Sequence, residues 1–158
     1  MLFGIGYDIH RLVENRKLIL GGITFDYHLG LLGHSDADVV IHAICDALLG
    51  AAALGDIGEH FPDTDEKWKD VSSSVLLLKV VDLLKEGNFK INNIDVVILA
   101  QKPKIGLRKH EIKNNIAKLL HLEVNRVNIK ATTMEGVGAI GRGEAIAVQS
   151  IASLHENS

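Results

Sequence analysis

Residues 36–54 read DADVVIHAICDALLGAAAL. Val40, Ile44, Ala47, Leu48 and Ala51 recur at three- and four-residue intervals, which lays one apolar stripe along a helix. Ser35 or Asp36 stands where a cap would start that helix, and Gly55 where it would stop. Upstream, LFGIGYDI at 2–9 alternates apolar with small or polar residues, the period of a strand. KLILGGITF at 17–25 reads as a second strand, joined to the first by a polar turn at Asn15-Arg16, with Gly21-Gly22 as a bulge or a tight hairpin turn. Downstream, a polar and acidic loop at 55–65 leads to an amphipathic helix over 72–86, started by Ser72 or Ser73 and ended by Gly87-Asn88. A strand over 94–100, a helix over 108–120, a strand over 127–132 and a last strand over 144–154 complete the chain. This order predicts an α+β, two-layer sandwich: a mixed sheet covered on one face by helices.

The 158 residues fit a single domain, 1–158, and 47% hydrophobic against 23% charged residues allows a real core. A formal charge of −3 argues against a general nucleic-acid binder. Cys45 is the one cysteine, so no intrachain disulfide forms and a reducing compartment is expected. Residues 1–6, MLFGIG, lack a basic leader, and no apolar run reaches the roughly 18–20 residues that span a bilayer. The expectation is a cytoplasmic protein with no membrane partner. With 4% aromatic residues and 15 Gly, little bulky material is available to wall a pocket.

Asp8 and His10 lie two apart at a strand end, so their side chains leave one face of the strand. His42 lies within the apolar helix, where each ring nitrogen needs a partner or a metal. One Asp and two His would leave an open position on a tetrahedral zinc ion. The alternative is a strand-end hydrogen bond between Asp8 and His10 beside a satisfied core histidine. Asp38 and Asp46 flank His42 at four-residue spacing, so either could orient its ring or serve as a cap or solvated residue. Gly4-Ile5-Gly6 lacks a third glycine and no helix follows it, which excludes a dinucleotide fingerprint.

His34-Ser35-Asp36 precedes the helix, where free N–H groups suit a phosphate or a simple cap. Thr132-Thr133-Met134-Glu135 enters a glycine-rich loop, 136–143, whose amides and Arg142 suit a diphosphate. Glu135 there would bridge a hard divalent cation to phosphate oxygens, or pair with Arg142. The stretch 100–107, AQKPKIGL, suits either a nucleotide base with its phosphate or a solvated turn.

Together these motifs resemble the 2-C-methyl-D-erythritol 2,4-cyclodiphosphate synthase family from about Phe3 to Leu154. The similarity rests on GIGYDIHR at 4–11, HSDAD at 34–38 with His42, DALLGA at 46–51 and GDIG at 55–58. It continues through FPDTD at 61–65, Pro103-Lys104, KATT at 130–133 and GRGE at 141–144. The resemblance implies conversion of 4-diphosphocytidyl-2-C-methyl-D-erythritol 2-phosphate to the cyclic diphosphate and CMP, through attack of the 2-phosphate on the β-phosphorus. It implies that Asp8, His10 and His42 hold Zn²⁺, that Glu135 helps hold Mg²⁺ or Mn²⁺ on the substrate diphosphate, and that His34 and Thr133 assist the transition state.

On the same resemblance, Asp56, Ile57, Gly58, Phe61, Pro62, Asp63, Thr64 and Asp65 line the methylerythritol and phosphate pocket, with Ile9 and Ser35 beside the metal ligands. Ala100, Gln101, Lys102, Pro103, Lys104, Ile105, Gly106, Ala131 and Thr132 would hold the cytidine, and Met134, Ala139 and Arg142 complete the substrate contacts. It implies a homotrimer with active sites between subunits. The chain departs from the family pattern at Ala37, where glycine is usual, and at Met134, where threonine is common. Ala139 stands where a phenylalanine commonly lines a cavity on the trimer axis, which argues against an axial ligand. Three other readings of the Asp-His-His set are a metal-dependent phosphohydrolase, an iron site and a closed structural metal in a scaffold.

Overall fold

A computed structural model describes residues 1–157. Its main sheet has the order β4-β1-β7-β5-β6, built from β1 (Leu2–Val13), β4 (Gly30–Leu31), β5 (Phe89–Leu99), β6 (Val127–Thr132) and β7 (Ala145–Glu156). β5 and β6 run parallel and every other pairing is antiparallel, so the sheet is mixed. Helices α1 (Val39–Ala51), α3 (Ser73–Glu86) and α4 (Lys109–Leu120) pack on it, separated by short α2 (Ile57–His60) and followed by short α5 (Gly138–Gly141). The architecture is α+β, as the sequence predicts.

Side-chain alternation along β1 explains how the helices seat. Gly4, Gly6, Asp8 and His10 face the helix layer, while Phe3, Ile5, Tyr7 and Ile9 leave the opposite face and are exposed. A β-carbon at Gly4 would collide with the Ala47 carbonyl oxygen, and one at Gly6 with that of Ala43. The GIG stretch therefore lets the α1 backbone lie directly on the strand. This contact buries Ala43, Ala47 and Ala51 of α1, together with Ile44, Leu48 and Leu49.

Two sequence expectations are corrected. The 17–25 strand does not pair with the first strand; it folds on itself as β2 (Leu18–Leu20) and β3 (Ile23–Phe25), a separate two-stranded sheet. Gly21 and Gly22 have φ of 61° and 79°, the left-handed pair that a two-residue hairpin turn of this kind requires. Neither Ser35 nor Asp36 caps α1. Asp38 does, accepting from the Ile41 N–H at 3.1 Å, and it also accepts from Gly21 N–H at 2.8 Å and Gly22 N–H at 2.6 Å. One fully buried carboxylate thus ties the hairpin turn to the start of α1.

Burial pushes the Asp38 carboxyl up to about 6, outweighing the N–H groups that favour its charge. A raised carboxyl contributes most below its unfolded value near 4 and loses that contribution as pH rises through about 6. Asp38→Ala leaves three buried or capping N–H groups without their acceptor and is expected to cost about 2–4 kcal/mol. Urea unfolding at pH 5 and pH 8 checks both points: the cost is larger at pH 5, by about 1 kcal/mol, and a cost that grows toward pH 8 contradicts the assignment.

Candidate metal centre and adjoining cavities

α1 lies so close to β1 that His42, one turn beyond Asp38, reaches the two strand residues. Asp8 Oδ2 lies 2.8 Å from His10 Nε2 and 3.1 Å from His42 Nδ1, and the two ring nitrogens are 3.3 Å apart. A tetrahedral zinc with bonds of about 2.0–2.1 Å would hold its ligand atoms about 3.3 Å apart, so these three donors are close to the required triangle. Their outer nitrogens are satisfied as metal-bound histidines require. His10 Nδ1 donates to the Leu32 carbonyl at 2.7 Å, and His42 Nε2 meets Ser73 Oγ at 2.9 Å and Ser35 Oγ at 3.1 Å. The donor set fits a divalent transition metal.

Without a metal, the cluster neutralises itself. Burial raises the Asp8 carboxyl, but the hydrogen bond and positive charge of His10, with His42 beside it, outweigh it and hold the group at about 2. Burial opposes charge on His10 too, yet the Asp8 carboxylate and the Leu32 carbonyl lift its pKa above the ordinary 6.5. Neither Asp38 nor Asp46 orients His42: Asp38 is committed to the hairpin turn, and Asp46 accepts the Ile57 N–H at 2.8 Å. Two serines occupy that role instead.

His10 and His42, though not Asp8, line a cavity of about 400 Å³ that also meets His34, Ser35, Ile57, Gly58, Phe61, Pro62 and Asp63. The His34 ring is held by its Nε2, which donates to the Asp65 carbonyl at 3.0 Å. Asp56 instead caps α2 through the Glu59 N–H, Asp65 caps the following 3₁₀ turn, and Thr64 is exposed beside it. The Ile9 side chain leaves the opposite face of the strand. Gly33, Trp68 and Leu76 also line the cavity, and none of them is a candidate in the sequence reading. Trp68 stands in the charged run EKWKD, where its burial against Phe61 has no periodic signal.

A second cavity, of about 360 Å³, lies beyond the ends of β5 and β6. Ala100, Gln101, Pro103, Lys104, Ile105, Gly106, Ala131, Thr132 and Thr133 line it, with Leu107 and Lys109 added; Lys102 is exposed outside it. Gln101 Oε1 accepts the N–H groups of Met134 and Gly136, each at 3.3 Å, which ties this wall to the glycine-rich loop. Glu135 there has φ of 52° and is exposed, and Arg142 pairs with Glu144 at 3.0 Å rather than with Glu135. Ala139 is exposed on α5. Asp8, Val148, Ile98 and Ala131 are in register across four neighbouring strands, so three strand spacings, about 14 Å, separate the metal row from this cavity. The two cavities share no lining residue.

The YgbB family model matches residues 1–155. The 2-C-methyl-D-erythritol 2,4-cyclodiphosphate synthase of Clostridium novyi is 60% identical over 156 residues, covering 99% of both chains. The bifunctional IspDF of Campylobacter jejuni superposes with a TM-score of 0.95 at 45% identity, covering 99% of this chain, which spans 42% of that one. The IspF–CDP complex of Plasmodium falciparum gives a TM-score of 0.87 at 32% identity, covering 99% of this chain and 97% of that one.

Because a metal must displace the proton that Asp8 stabilises on His10, apparent affinity for Co²⁺ or Zn²⁺ should tighten as pH rises from 6 to 8. Calorimetry at pH 6 in buffers of different ionisation enthalpy should show about one proton released per metal. Affinity independent of pH contradicts the site.

Proposed function

This chain belongs to the YgbB family of 2-C-methyl-D-erythritol 2,4-cyclodiphosphate synthases, and from that premise we propose how its residues divide the family's reaction. The enzyme converts 4-diphosphocytidyl-2-C-methyl-D-erythritol 2-phosphate to 2-C-methyl-D-erythritol 2,4-cyclodiphosphate and CMP. The observation that carries the assignment is the convergence of Asp8, His10 and His42, with both histidines lining a cavity walled by the 57–63 loop. Those three residues would hold zinc, and Glu135, which Arg142 leaves unpaired, would hold Mg²⁺ or Mn²⁺ with the substrate diphosphate. When bound, the two ions supply positive charge to phosphate oxygens that a chain of net charge −3 cannot neutralise alone.

The chemistry needs no protein nucleophile, because both reacting phosphates belong to one flexible molecule. Catalysis is chiefly orientation: the 2-phosphate must lie in line with the bond from the β-phosphorus to the departing CMP oxygen. The loop from Asp56 to Asp65 holds the methylerythritol end, and the Asp65 carbonyl fixes His34 at its edge. Ala100, Gln101, Pro103, Ile105, Gly106, Ala131 and Thr132 enclose the cytidine, while Lys104 and Thr133 of the same cavity and Arg142 of the adjoining glycine-rich loop supply donors along the diphosphate. The CDP in the Plasmodium relative supports a cytidine nucleotide as the ligand of this second cavity.

A homotrimer joins the two halves, the metal cavity of one subunit facing the cytidine cavity of the next. Support comes from the open face of the sheet, where Phe3, Ile5, Tyr7, Ile9 and Ile151 are 45–68% exposed in one patch. Ile5 and Ile151 are directly paired across strands, so the patch is continuous. Apolar surface of this kind is characteristic of a subunit interface. A cytoplasmic location belongs to the same reading, supported by the unpaired, buried Cys45 thiol.

Incubation with the cytidyl substrate and both metals, followed by ³¹P NMR, should show CMP and a cyclic diphosphate in equal amounts. CMP with the open-chain 2,4-bisphosphate, two separate phosphate monoesters and no P–O–P bond, identifies a hydrolase and overturns the reading. Ile5→Glu should convert the trimer to monomers in sedimentation and abolish turnover; a trimeric, active variant refutes the role of the open face.

A further inference from the structure

We propose that Asp36 is a positioning residue for the metal ligand His42, acting through Ser73 to fix which ring nitrogen carries the proton. The inference rests on the reading of Asp8, His10 and His42 as the metal site and assigns a role to two residues outside it.

Each hydroxyl has one hydrogen to give, and a carboxylate oxygen or a carbonyl only accepts. The Ser73 hydroxyl donates to Asp36 Oδ1, and the Ser73 N–H donates to Asp36 Oδ2 at 3.0 Å. Both Asp36 oxygens act as acceptors, Oδ1 also taking the Asp38 N–H, so the one Ser73 hydroxyl hydrogen is committed to Asp36. Ser73 Oγ can then only accept from His42 Nε2, 2.9 Å away, and that nitrogen must carry its proton. Nδ1 is left with its lone pair directed at Asp8 Oδ2 and His10 Nε2, where the metal would sit. Ser35 Oγ, at 3.1 Å from the same nitrogen, can accept or donate and so does not decide the tautomer.

Placement makes the pair stiff. Ser73 is fully buried at the first turn of α3, so no water can replace it. The Asp36 N–H donates to the Val71 carbonyl at 3.1 Å, and Asp36 Oδ1 accepts the Asp38 N–H at 3.1 Å. Asp36 therefore joins the entry of α1 to the entry of α3, and His42 is aimed from both helices. For His10 the Leu32 carbonyl does the same, accepting from Nδ1 and leaving Nε2 as the nitrogen that would ligate a metal.

Asp36→Asn and Ser73→Ala separate this role from general stability. An amide at position 36 can donate to Ser73 Oγ, which frees the hydroxyl hydrogen for His42 Nε2 and favours the tautomer that cannot ligate. In metal-free protein at pH 8, ¹⁵N NMR should find His42 protonated at Nε2 in the parent and shifted toward Nδ1 in Asp36→Asn. Co²⁺ titration against a competing chelator should show affinity about 10–100-fold weaker in each variant. The double variant should bind within about threefold of Ser73→Ala, because Asp36 acts through that hydroxyl. His42→Ala is the reference for the site itself. Loss of Co²⁺ there, with unchanged tautomer and affinity in Asp36→Asn, overturns the positioning role alone; normal Co²⁺ binding by His42→Ala overturns the metal site and the proposal with it. Multiplying effects in the double variant also overturn it. If Asp36→Asn does not fold, Ser73→Ala decides, since unchanged affinity there refutes the relay.

Discussion

The contact between the α1 backbone and β1 at Gly4 and Gly6 sets the geometry on which the rest of the molecule depends. Any side chain at those positions would meet a helix carbonyl, so the helix would have to lift away from the sheet. His42 would move with it, while Asp8 and His10 would stay on the strand. The metal donors are therefore brought together by the absence of two β-carbons more than by any attraction among themselves. The apolar stripe of α1 supplies the driving force, and the glycines set the distance at which it acts.

From that contact the remaining site follows in order. α1 begins at Asp38, whose buried carboxylate also closes the β2–β3 turn, so the loop carrying Gly33, His34 and Ser35 is pinned at its exit. Asp46, one turn beyond His42, accepts the Ile57 N–H and draws the acidic loop toward the metal donors. The wall of the cavity is thus built by carboxylates that hold backbone groups, which explains how a chain with 4% aromatic residues encloses a site. Its acidity is largely structural. The single tryptophan, Trp68, is used where the loop needs bulk, stacked edge-on to Phe61 with ring centroids 5.0 Å apart.

Much of this was legible in the sequence because periodicity and spacing are local. The apolar stripe of 36–54, the alternation of 2–9 and the two-residue step from Asp8 to His10 each report one element at a time. The hairpin of 17–25 was legible only as far as its two glycines, since nothing local says whether a strand pairs with its neighbour or turns on itself. Ser73 reads as a helix cap, and its contact with His42 depends on how α1 and α3 meet. Asp38 and Asp46 share a helical face with His42, yet side-chain reach sends both to backbone amides. Tertiary partners of polar residues are invisible to spacing, whereas the ligands themselves are not.

An active site shared between subunits takes Asp8, His10 and His42 from one and the 100–106 and 131–135 walls from the next. Mixing two inactive variants tests this directly, one carrying His42→Ala and the other Lys104→Ala with Glu135→Ala. After subunits are exchanged by mild unfolding and refolding together, some interfaces pair an intact metal half with an intact cytidine half. With shared sites, CMP release should return to a substantial fraction of the unsubstituted rate while each variant alone stays inactive. A mixture that exchanges subunits and remains inactive would contradict it.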